Sequence, residues 1–574
     1  MTSELISHLQ AFDEIENRSE LSHRDAGLRS APPASGRRTV HDATYDLLRW
    51  LGLTTIFGNP GSTEEPFLKD FPSDFEYVLG LQEAPVVAMA DGFAQATKKP
   101  VLVNLHTAAG TANGMCSIMS AYQNKTPMII IAGQQHREML LCEPMLANRD
   151  ATTLPRPWVK WSYEPARAQD VPAAIMRAFA AAVQPPAGPV FVSIPLDDWD
   201  QPALGAPVLR SVSSRYAPDP ARAQLFAERI RRAKNPVLVY GQEIDRAGGW
   251  EAGIAFAERL RAPVFLPPIA DRISFPQGHP QFQGVLPMAI GPLSKRLRGF
   301  DLVIVVGAPV FRYYPYVAGD YLPEGTELLQ ITNDPNDAAA AAAGDSLLAD
   351  AKLALEALTE RLPQNEDRAL PAPVQARVKQ SVATKDPLPL TAAEAFAALA
   401  ELQPAAGIVV QESPSNASDV LEHWPTVGPD SYYSFAAGGL GWNAPAAVGI
   451  ALAQQRKGGG RPVIAFIGDG AMQYSIQCLY TAAQHRLKVI FIVPCNGEYA
   501  VLKQFAALEG TPNVPGLDIP GIDMPSLAKG YGCAGVTVRT RDEIKGAFAT
   551  ALKTDGPTVI AIPIKHELRP LVSV

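Results

Sequence analysis

Short runs of consecutive apolar residues, each of strand length, alternate with helix-length segments from residue 54 to residue 562. Strands buried on both faces read as unbroken apolar runs, and parallel neighbours need crossovers long enough to hold a helix. The alternation therefore predicts parallel sheets with helices on both faces. The runs fall into three sets. Residues 54–57, 77–81, 101–105, 128–132 and 190–194 make the first. Residues 237–240, 264–266, 302–306 and 328–331 make the second, and 408–411, 463–467, 489–493 and 559–562 the third. Stretches rich in proline and small or polar residues, 197–218 and 362–390, separate them. The prediction is an α/β chain of three consecutive doubly wound parallel-sheet domains, 39–205, 219–362 and 388–574, behind a polar tail over 1–38.

Composition narrows the partners. Of the 574 residues, 47% are hydrophobic and 19% charged, the balance of a packed globule. A net charge of -8 argues against nucleic acid as the partner, since phosphate backbones call for a basic face. Cys116, Cys142, Cys478, Cys495 and Cys533 form no C-x-x-C pair, so neither a zinc site nor a disulfide framework is expected. The longest apolar runs fall short of the roughly 20 residues of a membrane helix, and no apolar run follows Arg37-Arg38. A cytoplasmic protein with no membrane partner is the expectation.

One motif points to chemistry. Gly468-Asp469-Gly470 directly follows the run 463–467, at the carboxyl end of a strand, where α/β sheets bind ligands. Glycines there let backbone N–H groups approach phosphate oxygens, and the aspartate offers a hard oxygen. One helix and one strand later, 489–493 leads into Cys495-Asn496-Gly497. A carboxylate, an amide oxygen and a backbone carbonyl, with two phosphate oxygens and a water, suit octahedral magnesium; calcium accepts the same donors. Gly439-Leu440-Gly441-Trp442-Asn443-Ala444 fits G-x-G-x-x-A but lacks an acidic partner at the right distance, so no nicotinamide site is expected.

The pair Gly468-Asp469-Gly470 and Asn496 resembles the diphosphate and metal signature of thiamine-diphosphate enzymes. Gly58-Asn59-Pro60-Gly61-Ser62, Leu81-Gln82-Glu83-Ala84 and Asn104-Leu105-His106-Thr107 extend the resemblance, as do Leu154-Pro155-Arg156-Pro157 and Gly307-Ala308-Pro309-Val310-Phe311-Arg312-Tyr313. Together they are similar to the 2-keto acid decarboxylases of this class, and among them the benzoylformate decarboxylases, from about residue 39 to about residue 567. The domains would then be pyrimidine-binding, middle and diphosphate-binding.

The resemblance implies thiamine diphosphate with Mg2+ (or Ca2+) and non-oxidative decarboxylation of an aryl 2-keto acid to an aldehyde, with carboligation as a side activity. It implies that Glu83 hydrogen-bonds the aminopyrimidine and activates the cofactor. His106 would move a proton and Ser62 would contact the substrate carboxylate. Asn59, Pro60, Gly61, Gly438, Leu440, Gly468, Asp469, Gly470 and Ala471 would hold the cofactor, Leu440 as the apolar wedge that bends it. Asp469, Asn496 and the Glu498 carbonyl would hold the metal. Tyr314, Leu146, Ser434, Val501, Leu502, Gln504 and Phe505 would line the substrate pocket. The site lies between two chains in this family, so at least a homodimer, and a homotetramer by preference, is implied.

The chain also departs from the pattern. Tyr314 stands where the family has a second active-site histidine, and Pro414 and Ala417 replace threonines. Ser434, Val501 and Gln504 replace phenylalanine, alanine and tryptophan, which predicts a pocket of different shape or polarity. These changes leave two other readings: an aldehyde ligase or lyase of the benzaldehyde lyase or acetohydroxyacid synthase type, and a non-catalytic paralogue that binds cofactor.

Overall fold

The computed structural model describes residues 38–365, 368–372, 388–458 and 460–572. The tail predicted over 1–38 lies outside them except for its last residue. The first sheet is built from β1 (Thr55–Gly58), β2 (Glu76–Leu79), β3 (Val101–Leu105), β4 (Met128–Gln134), β5 (Ser162–Tyr163) and β6 (Pro189–Pro195). The second uses β7 (Pro236–Tyr240), β8 (Val264–Leu266), β9 (Phe282–Val285), β10 (Leu302–Val306), β11 (Glu327–Thr332) and β12 (Asp345–Leu348). The third uses β13 (Ile408–Glu412), β14 (Tyr432–Tyr433), β15 (Val463–Ile467), β16 (Val489–Cys495), β17 (Ala534–Thr537) and β18 (Thr558–Pro563). Strand neighbours in each sheet run parallel.

Among the described residues each sheet has six strands, and five of these strands left no apolar run in the sequence: β5, β9, β12, β14 and β17. All five are edge strands. β5 and β14 are two residues long, and β9 and β17 have no fully buried position, so a strand covered on one side only carries no unbroken apolar signal.

Strand order places the sites. The first sheet runs β2-β1-β3-β4-β6-β5 and the third β14-β13-β15-β16-β18-β17, so the two share one topology. Their order reverses between β1 and β3 and between β13 and β15, and ligands bind α/β sheets at the carboxyl side of such a switch point. The middle sheet runs β12-β11-β10-β7-β8-β9, with its switch between β7 and β10. There Glu243, just past β7, takes Lys125 of the first domain at 3.0 Å and Thr332 Oγ1 at 2.9 Å. Each domain opens on a helix capped by a side chain: Thr39 for Val40–Leu51, Asp219 for Pro220–Arg232 and Thr391 for Ala392–Ala400.

The first and third domains share a core. Helix Glu83–Thr97 is buried almost all round and packs on helix Asn443–Arg456, which is buried the same way. Their backbones touch. A Cβ on Gly92 would lie 2.3 Å from the Ala446 carbonyl oxygen, and one on Gly449 1.9 Å from that of Met89. Glycine is required at both positions for this approach.

Candidate active site

The chain leaves β1 into Asn59, turns from β2 into Glu83 and leaves β3 into His106. All three therefore stand at the carboxyl edge of the first sheet, beside its switch point. Glu83 opens helix Glu83–Thr97, where the unpaired N–H groups favour an anion, and its side chain is buried. Asn59 Nδ2 donates to its Oε1 at 3.1 Å and Asn113 Nδ2 to its Oε2 at 3.0 Å. Two neutral amides thus fix the carboxylate. Asn59, expected on the cofactor, spends its amide N–H on Glu83. Asn113 escaped sequence reasoning, although His106, Gly110 and Asn113 repeat at one-turn spacing along a helix face.

His106 is oriented by Glu64. Its Nδ1 lies 2.8 Å from Glu64 Oε2, with Thr63 Oγ1 3.2 Å away. An ionised carboxylate only accepts, so Nδ1 carries the proton and Nε2 is left to take up or release one. Glu64 is fully buried and also accepts the N–H groups of Gly61 at 3.0 Å and Gly133 at 2.9 Å. A Cβ on Gly61 would sit 2.2 Å from His106 Nδ1, so only glycine allows the ring its place. Thr107, immediately after the histidine, is held at φ 44°, a strained setting for a β-branched residue. Ser62 lies exposed on the turn that Glu64 ties down.

The third sheet supplies the other half. Asp469 follows β15 and is buried. Its Oδ1 accepts from the Gly470 N–H at 2.9 Å and its Oδ2 from the Gly497 N–H at 2.8 Å, and burial pushes its carboxyl up. Each oxygen keeps lone pairs for a cation. Asn496 follows β16, and its Oδ1 accepts from Glu498 N–H at 3.2 Å. The Glu498 side chain points to Lys503 and to His566 Nδ1, the latter 3.2 Å away, which leaves its carbonyl as its possible metal donor. Among the described residues no group of three or more His, Cys, Asp or Glu side chains could hold a metal. A metal at Asp469 would complete its shell from an amide, a carbonyl and cofactor oxygens. Hard oxygens of this kind fit a magnesium diphosphate.

Gly438 at φ 75° and Gly441 at φ 96° bracket Leu440, which packs partly buried against the shared core. Ala471 is buried in that core, and Gly470 abuts Tyr499.

The residues expected to line the pocket are more scattered. Tyr314 and Phe505 meet with ring centroids 4.9 Å apart. Val501, Leu502 and buried Gln504 share the helix Ala500–Glu509 with Phe505. Leu146 stands on the first domain at φ 64°. Ser434 turns its hydroxyl onto the Gln411 carbonyl at 2.9 Å, so a backbone bond uses up its donor.

Twin sheets, one with an amide-held acid at its carboxyl edge and the other with an aspartate–asparagine pair, carry the hard-oxygen donors that suit an enzyme of a magnesium diphosphate cofactor. Family models agree. That of the thiamine pyrophosphate enzyme N-terminal TPP binding domain matches residues 38–152, the central domain 223–358 and the C-terminal TPP binding domain 415–562. The chain belongs to the thiamine pyrophosphate enzyme family. Its cofactor is thiamine diphosphate with a divalent metal. It is 48% identical to benzoylformate decarboxylase of Pseudomonas aeruginosa over 92% of this chain and 99% of that one. The crystal structure of benzoylformate decarboxylase from Polynucleobacter necessarius superposes with a TM-score of 0.90 at 52% identity, covering 93% of this chain and 100% of that one. The thiamine diphosphate-dependent 4-hydroxybenzoylformate decarboxylase of Rhodococcus jostii gives 0.89 at 42%, again over 93% and 100%.

Proposed function

We propose that this protein is a thiamine-diphosphate-dependent carboxy-lyase that converts an aryl 2-keto acid of the benzoylformate class to an aldehyde and carbon dioxide. The observation that carries the reading is the paired placement of Glu83, held by two amides, and His106, its Nδ1 held by Glu64, at one sheet edge. The bound cofactor supplies the nucleophile and the electron sink for decarboxylation. Glu83 holds a proton at the aminopyrimidine. His106 Nε2 moves the proton that the product carbon needs, and Ser62 binds the substrate carboxylate. Asp469, Asn496 and the Glu498 carbonyl hold magnesium, while Gly468, Gly470 and Ala471 present backbone to the diphosphate. Leu440 is the wedge under the cofactor.

Tyr314, Leu146, Val501, Leu502, Gln504 and Phe505 select the aryl group, with Ser434 behind them. The domains divide at 39–205, 219–362 and 388–574. The working particle is at least a homodimer, and a homotetramer by preference, in the cytoplasm. Among the described residues no helix is long and apolar enough to cross a membrane.

The test is aldehyde release from benzoylformate, ring-substituted benzoylformates, pyruvate and a branched 2-keto acid, with cofactor and Mg2+ present. The aryl acids should turn over fastest. Preference for pyruvate, or products that form only from two carbonyl partners, would contradict the proposal and favour the ligase reading.

A further inference from the structure

The loop that carries Leu440 has no regular secondary structure of its own, so something else must set its path. Three side chains grip it. Glu412, the last residue of β13, is fully buried; its Oε1 accepts from the Gly441 N–H at 2.5 Å and its Oε2 from the Asn443 N–H at 2.8 Å. Ser475 Oγ donates to the Gly441 carbonyl at 2.7 Å. Trp442 Nε1 donates to Asp91 Oδ2 at 2.7 Å, which ties the loop to the helix that begins with Glu83. The main chain of Glu412 takes part as well: its carbonyl accepts from Gly468 N–H at 2.9 Å, one residue before Asp469.

We infer that Glu412 is a positioning residue for the cofactor, one that sets the loop bearing Leu440 against the Gly468-Asp469-Gly470 turn through bonds to both. The inference rests on the wedge role proposed for Leu440. Glu412 sits at the switch point of the third sheet, on the strand beside β15. Its side chain serves the wedge and its carbonyl serves the diphosphate turn, so one residue fixes the spacing between the two. Each carboxyl oxygen accepts one of the two N–H groups, and the bonds are strongest when the carboxyl is charged. Burial opposes that charge and lifts the carboxyl to about 8, against the two N–H bonds that lower it. A buried polar group costs free energy unless it is hydrogen-bonded, and both oxygens of Glu412 spend their bonds on this one loop.

The test is a double-mutant cycle of Glu412→Gln with Leu440→Ala, read by thiamine-diphosphate Kd in Mg2+ and by kcat. Glutamine keeps the shape but turns an N–H2 toward one of the two donors. Alone it should weaken cofactor binding on the order of tenfold and lower kcat by a similar factor, with the substrate KM little changed. In the Leu440→Ala background the same substitution should add almost nothing, because both act through one loop. If Glu412→Gln does not fold, Glu412→Asp, too short to reach both N–H groups, replaces it in the cycle. Wild-type Kd and kcat in the Glu412 variant, or losses that add in full to those of Leu440→Ala, would overturn the inference. Unchanged Kd and kcat in Leu440→Ala alone would instead overturn the wedge reading, and the inference with it.

Discussion

Around Glu83 and Asp469 the side chains are buried, 7% and 5% exposed, and their oxygens accept from named N–H donors. Around the proposed substrate pocket Tyr314, Leu502 and Leu146 are 58%, 45% and 41% exposed in the single chain. The first region is built on strand ends and the start of a long buried helix. The second draws on loops and on the helix Ala500–Glu509, which has only Ala500 and Gln504 buried. Rigid elements hold catalytic geometry, while loops and rims can change without cost to the core. Of the departures from the family pattern named above, Tyr314, Ser434, Val501 and Gln504 belong to the second region, while Pro414 and Ala417 follow β13 on the side of the first.

That contrast can be broken most sharply at Glu83. Glu83→Gln keeps both amide neighbours but cannot share a proton in the same way. Turnover should fall roughly 10²–10⁴-fold while cofactor affinity changes little. A small loss measured by steady-state kinetics would mean that the buried acid is structural. Glu64→Gln comes next. It frees the His106 ring to tilt, and turnover should drop roughly 10²-fold without loss of cofactor binding. Equal activity would remove the histidine from the proposed proton path.

The rim should answer differently. Val501→Ala or Gln504→Trp should shift the ratio of kcat/KM between benzoylformate and bulkier ring-substituted acids by about tenfold, with cofactor Kd unchanged. No shift in that ratio would place specificity elsewhere.

The smallest effect concerns pH. The Glu412 carboxyl is raised to about 8 from an ordinary value of 4.5. The stability it lends is complete below the ordinary value and is lost as pH rises toward 8. Glu412→Gln should flatten that slope, so that the drop in melting temperature of the cofactor-free protein from pH 5 to pH 8 shrinks by about 2–4 °C. An unchanged slope would show that the carboxyl ionises freely in the fold.

The same division explains what the amino-acid sequence shows. Central strands are legible because burial on both faces writes an apolar run, and edge strands such as β9 and β17 are not. Asp469 and Asn496 are legible because each directly follows an apolar run, whereas Glu83 and His106 are legible only through the family resemblance. Glu64, Asn113 and Glu412 act across distance: Glu64 reaches a residue 42 positions away, and Asp91 meets Trp442 across 351. Such pairs exist only once the fold brings them together. A hint survives for Glu64, which closes the turn begun by Pro60-Gly61. For Ser434 the residue type does not tell that its hydroxyl bonds to the Gln411 carbonyl.

The most direct test of the account is carbon dioxide release from carboxyl-labelled benzoylformate, with and without thiamine diphosphate and Mg2+, in the wild-type protein and in Glu83→Gln. Release should require both cofactor and metal and should collapse in the variant. No release from the fully loaded wild-type protein, or equal release from Glu83→Gln, would contradict it.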